Sequence, residues 1–415
     1  MRTGIYLHYP FCVRKCLYCD FASTASSPVT PKAYVKGVLA EMELRRRGVD
    51  GPVQASTLYL GGGTPSLMGP ELVAGLVEGV ERLFGLERDA EVTIEANPGT
   101  LTPEKLSGYR AAGVNRLSLG VQSFDDRYLE KLGRIHTAAD AVEGFAAARR
   151  AGFANLSIDL MHSLPGQSLE EWRVSLDRAI ALAPEHISAY ALSVEEGTPF
   201  AAMKEAGKLP LPEEELAVAM FEETVTRLAK AGYLHYEISN FARPGCASRH
   251  NGAYWRRESY LGFGAGAHSF LNPRLKDGPA RPAAADRLRP LPPPPEGGAE
   301  GFGEACPRHW GRRWKNAADL SAYLESVAAG SLPEEDVELL TLDDAVSEAF
   351  FLGLRVLDGI DLAELRTLYG ENPLERHLAE VARLENAGLL LRDGERVRLS
   401  PPTVLIANSV FARFL

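Results

Sequence analysis

Over the first 200 residues, short β-rich runs take turns with helical stretches, and this alternation leaves the chain few folds to choose from. GIYLHY (4–9), STLYL (56–60), EVTIE (91–95), NRLSLG (115–120), NLSIDL (155–160) and HISAYAL (186–192) read as strands. Helical spacing lies between them, as in PKAYVKGVLAEMELRRR (31–47) and ELVAGLVEGVERLF (71–84). A repeated β-α-β-α order predicts a parallel sheet covered by helices. Six such units predict an α/β fold with an open, TIM-like barrel of (β/α)₆ type, and a closed eight-stranded barrel is the alternative. The 415 residues exceed one ordinary core, so a smaller second domain is expected.

The barrel is assigned to residues 1–240, followed by a segment of distinct motifs at 241–271. Residues 272–311 are rich in Pro, Gly and Ala without an apolar period and read as a flexible insertion. A helical connector is expected at 312–340. From 341 to 415, DDAVSEAFFLGLRVL and PLERHLAEVARLENAG read as amphipathic helices, and LLLRDGERVRLS reads as a hairpin around Asp393-Gly394. This order suggests a winged-helix-like domain. Its twelve acidic and eight basic side chains are a poor match for phosphates, so packing or a lid role is favoured over DNA binding.

A formal net charge of −10 argues against nucleic acid as a partner. No apolar run approaches the roughly 18–20 residues of a membrane span, and the N-terminus does not read as a secretory signal. A cytoplasmic protein is expected. Of the five cysteines, Cys246 and Cys306 stand alone and read as ordinary thiols. The other three, Cys12, Cys16 and Cys19, form C-x₃-C-x₂-C in FCVRKCLYCD. Structural zinc usually takes four ligands, and no second pair is present. Three thiolates suit a [4Fe–4S] cluster with one iron open to an exchangeable ligand, placed at the C-terminal mouth of the barrel.

With GGGTPS (61–66) after the second strand, this pattern resembles the radical S-adenosylmethionine (SAM) superfamily. The resemblance implies that the open iron binds the amino and carboxylate groups of SAM, and that an electron from the cluster cleaves SAM to a 5′-deoxyadenosyl radical. It implies that Gly62, Gly63 and Thr64 hold the SAM amino group, glycine letting the backbone approach a ligand closely. Glu95 in EVTIEANP is placed to accept from a ribose, or else to cap a helix. Gln122 closes the fourth strand. Arg134 can pair with the SAM carboxylate, and Asp159 needs a partner inside an apolar run. Tyr6 and Tyr18 flank the cluster loop and are assigned to the adenine side. Core packing is the plainer alternative for each.

YLHYPFC, IEANP, GVQSF, YEISNFARPGCASRHNGAYW (236–255), GFGAGAHSF (262–270) and the C-terminal region extend the resemblance to the coproporphyrinogen III dehydrogenase-like family. That family contains an oxygen-independent dehydrogenase that decarboxylates coproporphyrinogen III, and a haem chaperone. The dehydrogenase carries a further cysteine where Phe21 stands here, and an N-terminal arm that is not expected here. HNGAYW (250–255) matches the haem-binding motif of the chaperone branch. The resemblance therefore implies haem binding, with His250 as axial ligand, and transfer to a respiratory, membrane-associated acceptor haem protein. Loose membrane association and a homodimer remain open, as does the choice between a radical step and a purely regulatory cluster. His268 is a second haem candidate, or part of a tight turn. His309 and Cys306 are assigned no role.

Overall fold

The computed structural model describes residues 1–49, 51–272 and 309–415. The expected insertion, with Cys306, lies outside the described residues except at its two ends.

The six expected strands form the centre of one sheet. They are β1 (Arg2–Tyr9), β2 (Gln54–Gly62), β3 (Leu86–Ala96), β4 (Arg116–Gln122), β5 (Asn155–His162) and β6 (His186–Ala191). They pair in chain order and all in parallel. Helices make the crossovers. The first, Pro31–Arg47, starts where Thr30 accepts from the Ala33 amide, has proline in its first turn and ends at Gly48 after three arginines. Those are the signals expected at helix ends.

Among the described residues the sheet does not close into a ring. Beyond β6 it continues through β7 (Leu234–Glu237) and β8 (Asn240–Ala242), with β8 antiparallel to β6. Beyond β1 it continues through β9 (Tyr260–Phe263), β10 (His268–Leu271), β11 (Gly311–Asn316) and β12 (Glu334–Leu340), in a twelve-stranded order β12-β11-β10-β9-β1-β2-β3-β4-β5-β6-β8-β7. The open barrel is therefore present, widened at both edges.

The region 312–340, expected to be a helical connector, is corrected. Helix occupies only Leu320–Ala328, and strands β11 and β12 flank it within the large sheet. GRRWKN buries Gly311, Trp314 and Asn316, a pattern broken by an irregularity between Arg313 and Lys315 and too short to stand out beside the stronger helical signal that follows. Trp314, Tyr323 and Val327 belong to the same core as β1–β6, as do Leu261 and Phe263 from β9.

Period-2 alternation sorts the central strands into two chemically different faces. Ile5, Leu58, Leu60, Val92, Ile94, Leu117, Leu119 and Ile158 are fully or nearly fully buried in the helix-covered core. The alternate positions carry Tyr6, His8, Thr57, Tyr59, Glu91, Glu95, Arg116, Ser118, Asp159, His186 and Ser188. This second face is the inside of the barrel.

The C-terminal domain has its own core around Phe350, Leu362, Leu374, Val381, Val397 and Phe414. Its helices Leu342–Gly353, Leu362–Tyr369 and Glu375–Asn386 accompany a sheet of β13 (Ile360–Asp361), β14 (Leu390–Asp393) and β15 (Arg396–Leu399), ordered β13-β15-β14. The expected hairpin is β14–β15, turning at Gly394 with φ 60°. Buried Glu348 ties this domain to the barrel, accepting from Arg257 at 2.8 Å and Arg313 at 2.6 Å, while Arg257 also donates to the Tyr369 hydroxyl.

A buried carboxylate anchors the β9–β10 turn. Glu41 accepts from the Gly264 amide (2.9 Å), the Tyr323 hydroxyl (2.7 Å) and the Asn316 amide group (2.7 Å). Burial raises its pKa to about 7. Glu41→Leu would strand three buried donors, so a loss of about 3 kcal/mol or more is expected. Urea unfolding of the apo-protein measures it, and a loss below about 1 kcal/mol would show that the network contributes little net stability.

Candidate functional site

The loop after β1 carries the three cysteines across the C-terminal mouth of the barrel. The Cys12 amide donates to the Thr24 carbonyl (2.9 Å), closing the loop on itself, and the Leu17 amide donates to the Leu132 carbonyl (3.1 Å), tying its middle to the fold. The GGGTPS segment lies directly against it. The Gly63 amide donates to the Tyr9 carbonyl and the Thr64 amide to the Phe11 carbonyl. A Cβ on Gly63 would meet the Phe11 carbonyl oxygen at 2.8 Å and the Cys12 sulfur at 3.0 Å, so this contact requires glycine. Gly62 has φ 112°, and a Cβ there would collide with the His8 ring.

Cys12, Cys16, Cys19, Tyr18, Gly62, Gly63, Thr64, Glu95, Gln122, Arg134 and Asp159 all line one cavity of about 450 Å³. None of the three cysteines is in a disulfide. Among the described residues no three His, Cys, Asp or Glu side chains are grouped to hold one metal ion. Thr64 Oγ1 lies 3.6 Å from the Cys12 sulfur. Arg134 reaches the Cys16 sulfur at 3.4 Å and the Gly120 carbonyl at 2.7 Å, and its buried Nε has no partner. Gln122 enters at a bulge of β4 with φ 66°, a strained value for a residue with a side chain.

The two carboxylates differ in their support. Glu95 accepts from the Tyr59 hydroxyl (2.8 Å) and the Gly62 amide (3.1 Å), and burial, with Asp159 nearby, raises its pKa to about 7. It caps no helix. Asp159 finds its partners across the sheet, accepting from the hydroxyls of Ser188 (2.8 Å) and Ser118 (3.0 Å), while burial raises its pKa. The amide N–H groups of Gly62, Gly63 and Thr64 are all committed within the protein, so carbonyl oxygens are what this segment can offer a bound ammonium group.

Tyr6 departs from the expected arrangement. It lines a second cavity of about 700 Å³ rather than the cysteine cavity, because it points inward on β1 beside β9. This cavity is walled by Tyr254, Trp255, Arg257, Tyr260, His268 and Phe270 from the barrel side, and by Glu348, Phe351 and Leu352 from the C-terminal domain. Phe21, Gly62 and Glu95 line both cavities.

His250, expected as an axial haem ligand, is placed away from both cavities. It is buried on the inward face of the barrel, with Nδ1 bonded to Thr57 Oγ1 (2.7 Å), Nε2 bonded to the Tyr254 hydroxyl (2.8 Å) and its ring stacked on Tyr59. Burial, with Arg116 as a second cause, lowers its pKa to about 3. It lines neither cavity, whereas Tyr254 and Trp255 of the same motif do line the larger one. The helix Arg249–Trp255 is held by Glu91, which accepts from the amides of Arg249 and His250. Arg116, Ser118, His186, Ser188 and Arg257 escaped the sequence reading. Their one visible signal is polar residues at every second position of an otherwise apolar strand, as in Arg116-Leu117-Ser118.

Residues 6–179 match the radical SAM superfamily model, and residues 340–406 match that of the HemN C-terminal domain. The chain is 33% identical over 411 residues to the heme chaperone HemW of Bacillus subtilis (strain 168), covering 99% of this chain and 98% of that protein. It is 34% identical over 415 residues to HemW of Mycobacterium tuberculosis (strain ATCC 25618 / H37Rv), covering 99% and 94%. Among solved structures, coproporphyrinogen III oxidase (HemN) from Escherichia coli, described as a radical SAM enzyme, matches with a TM-score of 0.78 and 22% identity over 99% of this chain and 89% of that one, a likeness of fold. Among the described residues, no helix is long and apolar enough to cross a membrane.

The raised pKa of Glu95 has a definite linkage sign. The folded protein holds this proton more tightly than the unfolded chain, so the stabilisation is present below about pH 4.5 and is lost as pH rises towards about 7. Glu95→Gln should remove that dependence and gain on the order of 3 kcal/mol relative to the parent between those limits. Urea melts of both apo-proteins across the range check this. Parallel pH profiles would place the Glu95 carboxyl near its ordinary value.

Proposed function

Because this chain belongs to the family of the heme chaperone HemW, we propose that it binds haem and passes it to acceptor apo-proteins, using a barrel that also holds a [4Fe–4S] cluster and SAM. The observation that carries this reading is the second cavity. At about 700 Å³ it falls in the range of cofactor sites, it is lined by aromatic side chains and two arginines, and it adjoins the cysteine cavity.

Cys12, Cys16 and Cys19, which line one cavity, would hold three irons of the cluster. When bound, the cluster supplies one electron to SAM. The chain's own residues then have distinct tasks. Carbonyls of the Gly62–Gly63 segment accept from the ligand's ammonium group. The unpaired Nε of Arg134 offers a donor to its carboxylate. Glu95, near half-protonation around pH 7, can accept from a ribose as the carboxylate or donate as the acid. Phe21 replaces a possible further sulfur ligand with an apolar ring at the junction of the cavities. The acceptor is proposed to be a respiratory haem protein at the membrane.

Anaerobic reconstitution followed by haem titration tests the reading. About four iron and four sulfide per chain are expected, and a Cys12→Ala/Cys16→Ala/Cys19→Ala variant should retain almost none. Haem should bind the reconstituted protein. Release of carbon dioxide from coproporphyrinogen III with SAM and reductant, together with absent haem binding, would replace the chaperone by the dehydrogenase.

A further inference from the structure

Three histidines lie in or beside the larger cavity, and their ring nitrogens are in different states. His8 bonds the Ala22 carbonyl through Nε2 (2.8 Å) and the Tyr6 hydroxyl through Nδ1 (3.1 Å). His250 has both nitrogens engaged and does not reach the cavity. His268 lines the cavity, is exposed, and has no side-chain hydrogen bond, ion pair or ring contact among the described residues.

Its position follows from local structure. Gly264 (φ 100°) and Gly266 (φ 72°) turn the chain just before β10. Alternation along β10 then sends His268 and Phe270 to the cavity side, while Ser269 between them faces the core and bonds the Gly262 amide at 2.9 Å. Two further groups point to an acidic, flat ligand. Trp255 Nε1 and one terminal nitrogen of Arg257 are buried donors without partners, and both residues line the cavity. Unsatisfied buried donors are costly unless a ligand supplies acceptors, as porphyrin carboxylates would.

We infer that the axial ligand to the iron of a haem bound in this cavity is His268, with the haem carboxylates directed towards Arg257 and Trp255. This rests on the haem-binding reading above. His250 is then a positioning residue, fixing Tyr254 in the cavity wall through the 2.8 Å bond.

The test is a titration of the full chain with ferric haem, read by Soret absorption and electron paramagnetic resonance, for the parent, His268→Gly and His250→Gln. His268→Gly should weaken binding about tenfold or more and abolish the histidine-ligated spectrum. Millimolar imidazole should restore that spectrum, which no loss of folding could mimic. His250→Gln should keep a histidine-ligated spectrum. If His268→Gly keeps the parent's spectrum and affinity, the inference is overturned while haem binding stands. If the parent itself takes up no haem, the chaperone reading fails, and this inference fails with it.

Discussion

The structure depends on a cost that the barrel interior imposes. The inward face of the central strands carries Glu91, Glu95, Arg116 and Asp159, and an unpaired charge in such a place is penalised by several kcal/mol. Each of the three carboxylates is therefore met by hydrogen-bond donors. Asp159 takes hydroxyls from Ser118 and Ser188, Glu95 takes Tyr59 and the Gly62 amide, and Glu91 takes the first amides of the helix Arg249–Trp255. Glu91 thus draws that helix into the barrel, and His250 with it.

Satisfying those charges also sets the two cavities beside each other. The Gly62 backbone donates to Glu95, and both residues form part of both walls. The outer wall of the larger cavity belongs to another domain, held by Glu348 against Arg257 and Arg313.

Much of this was legible in the sequence. The six central strands, the crossover helices and the C-terminal hairpin show in hydrophobic periodicity, which reports burial along a single element. The cysteine cavity was legible because its thiols, glycines and Glu95 sit at or just beyond strand ends, and parallel strands bring their ends together. Strands β8 to β10 and β13 were harder to see, since two to four residues carry too little period. The salt bridge from Arg257 to Glu348 had no signal at all, because its partners lie 91 residues apart.

From the sequence alone came the alternating order of strands and helices, the position of three thiols in the loop after the first strand, and the glycines that admit that loop. These depend on local spacing and on covalent chemistry, which a linear pattern records. Tertiary structure alone decided that Tyr6 faces the larger cavity, that His250 turns away from both, and that the His268 ring has no hydrogen-bond partner among the described residues. Those outcomes depend on which distant group arrives to satisfy a buried polar atom. The bond from Thr57 to His250 spans 193 residues, and no periodicity foretells a partner at that range.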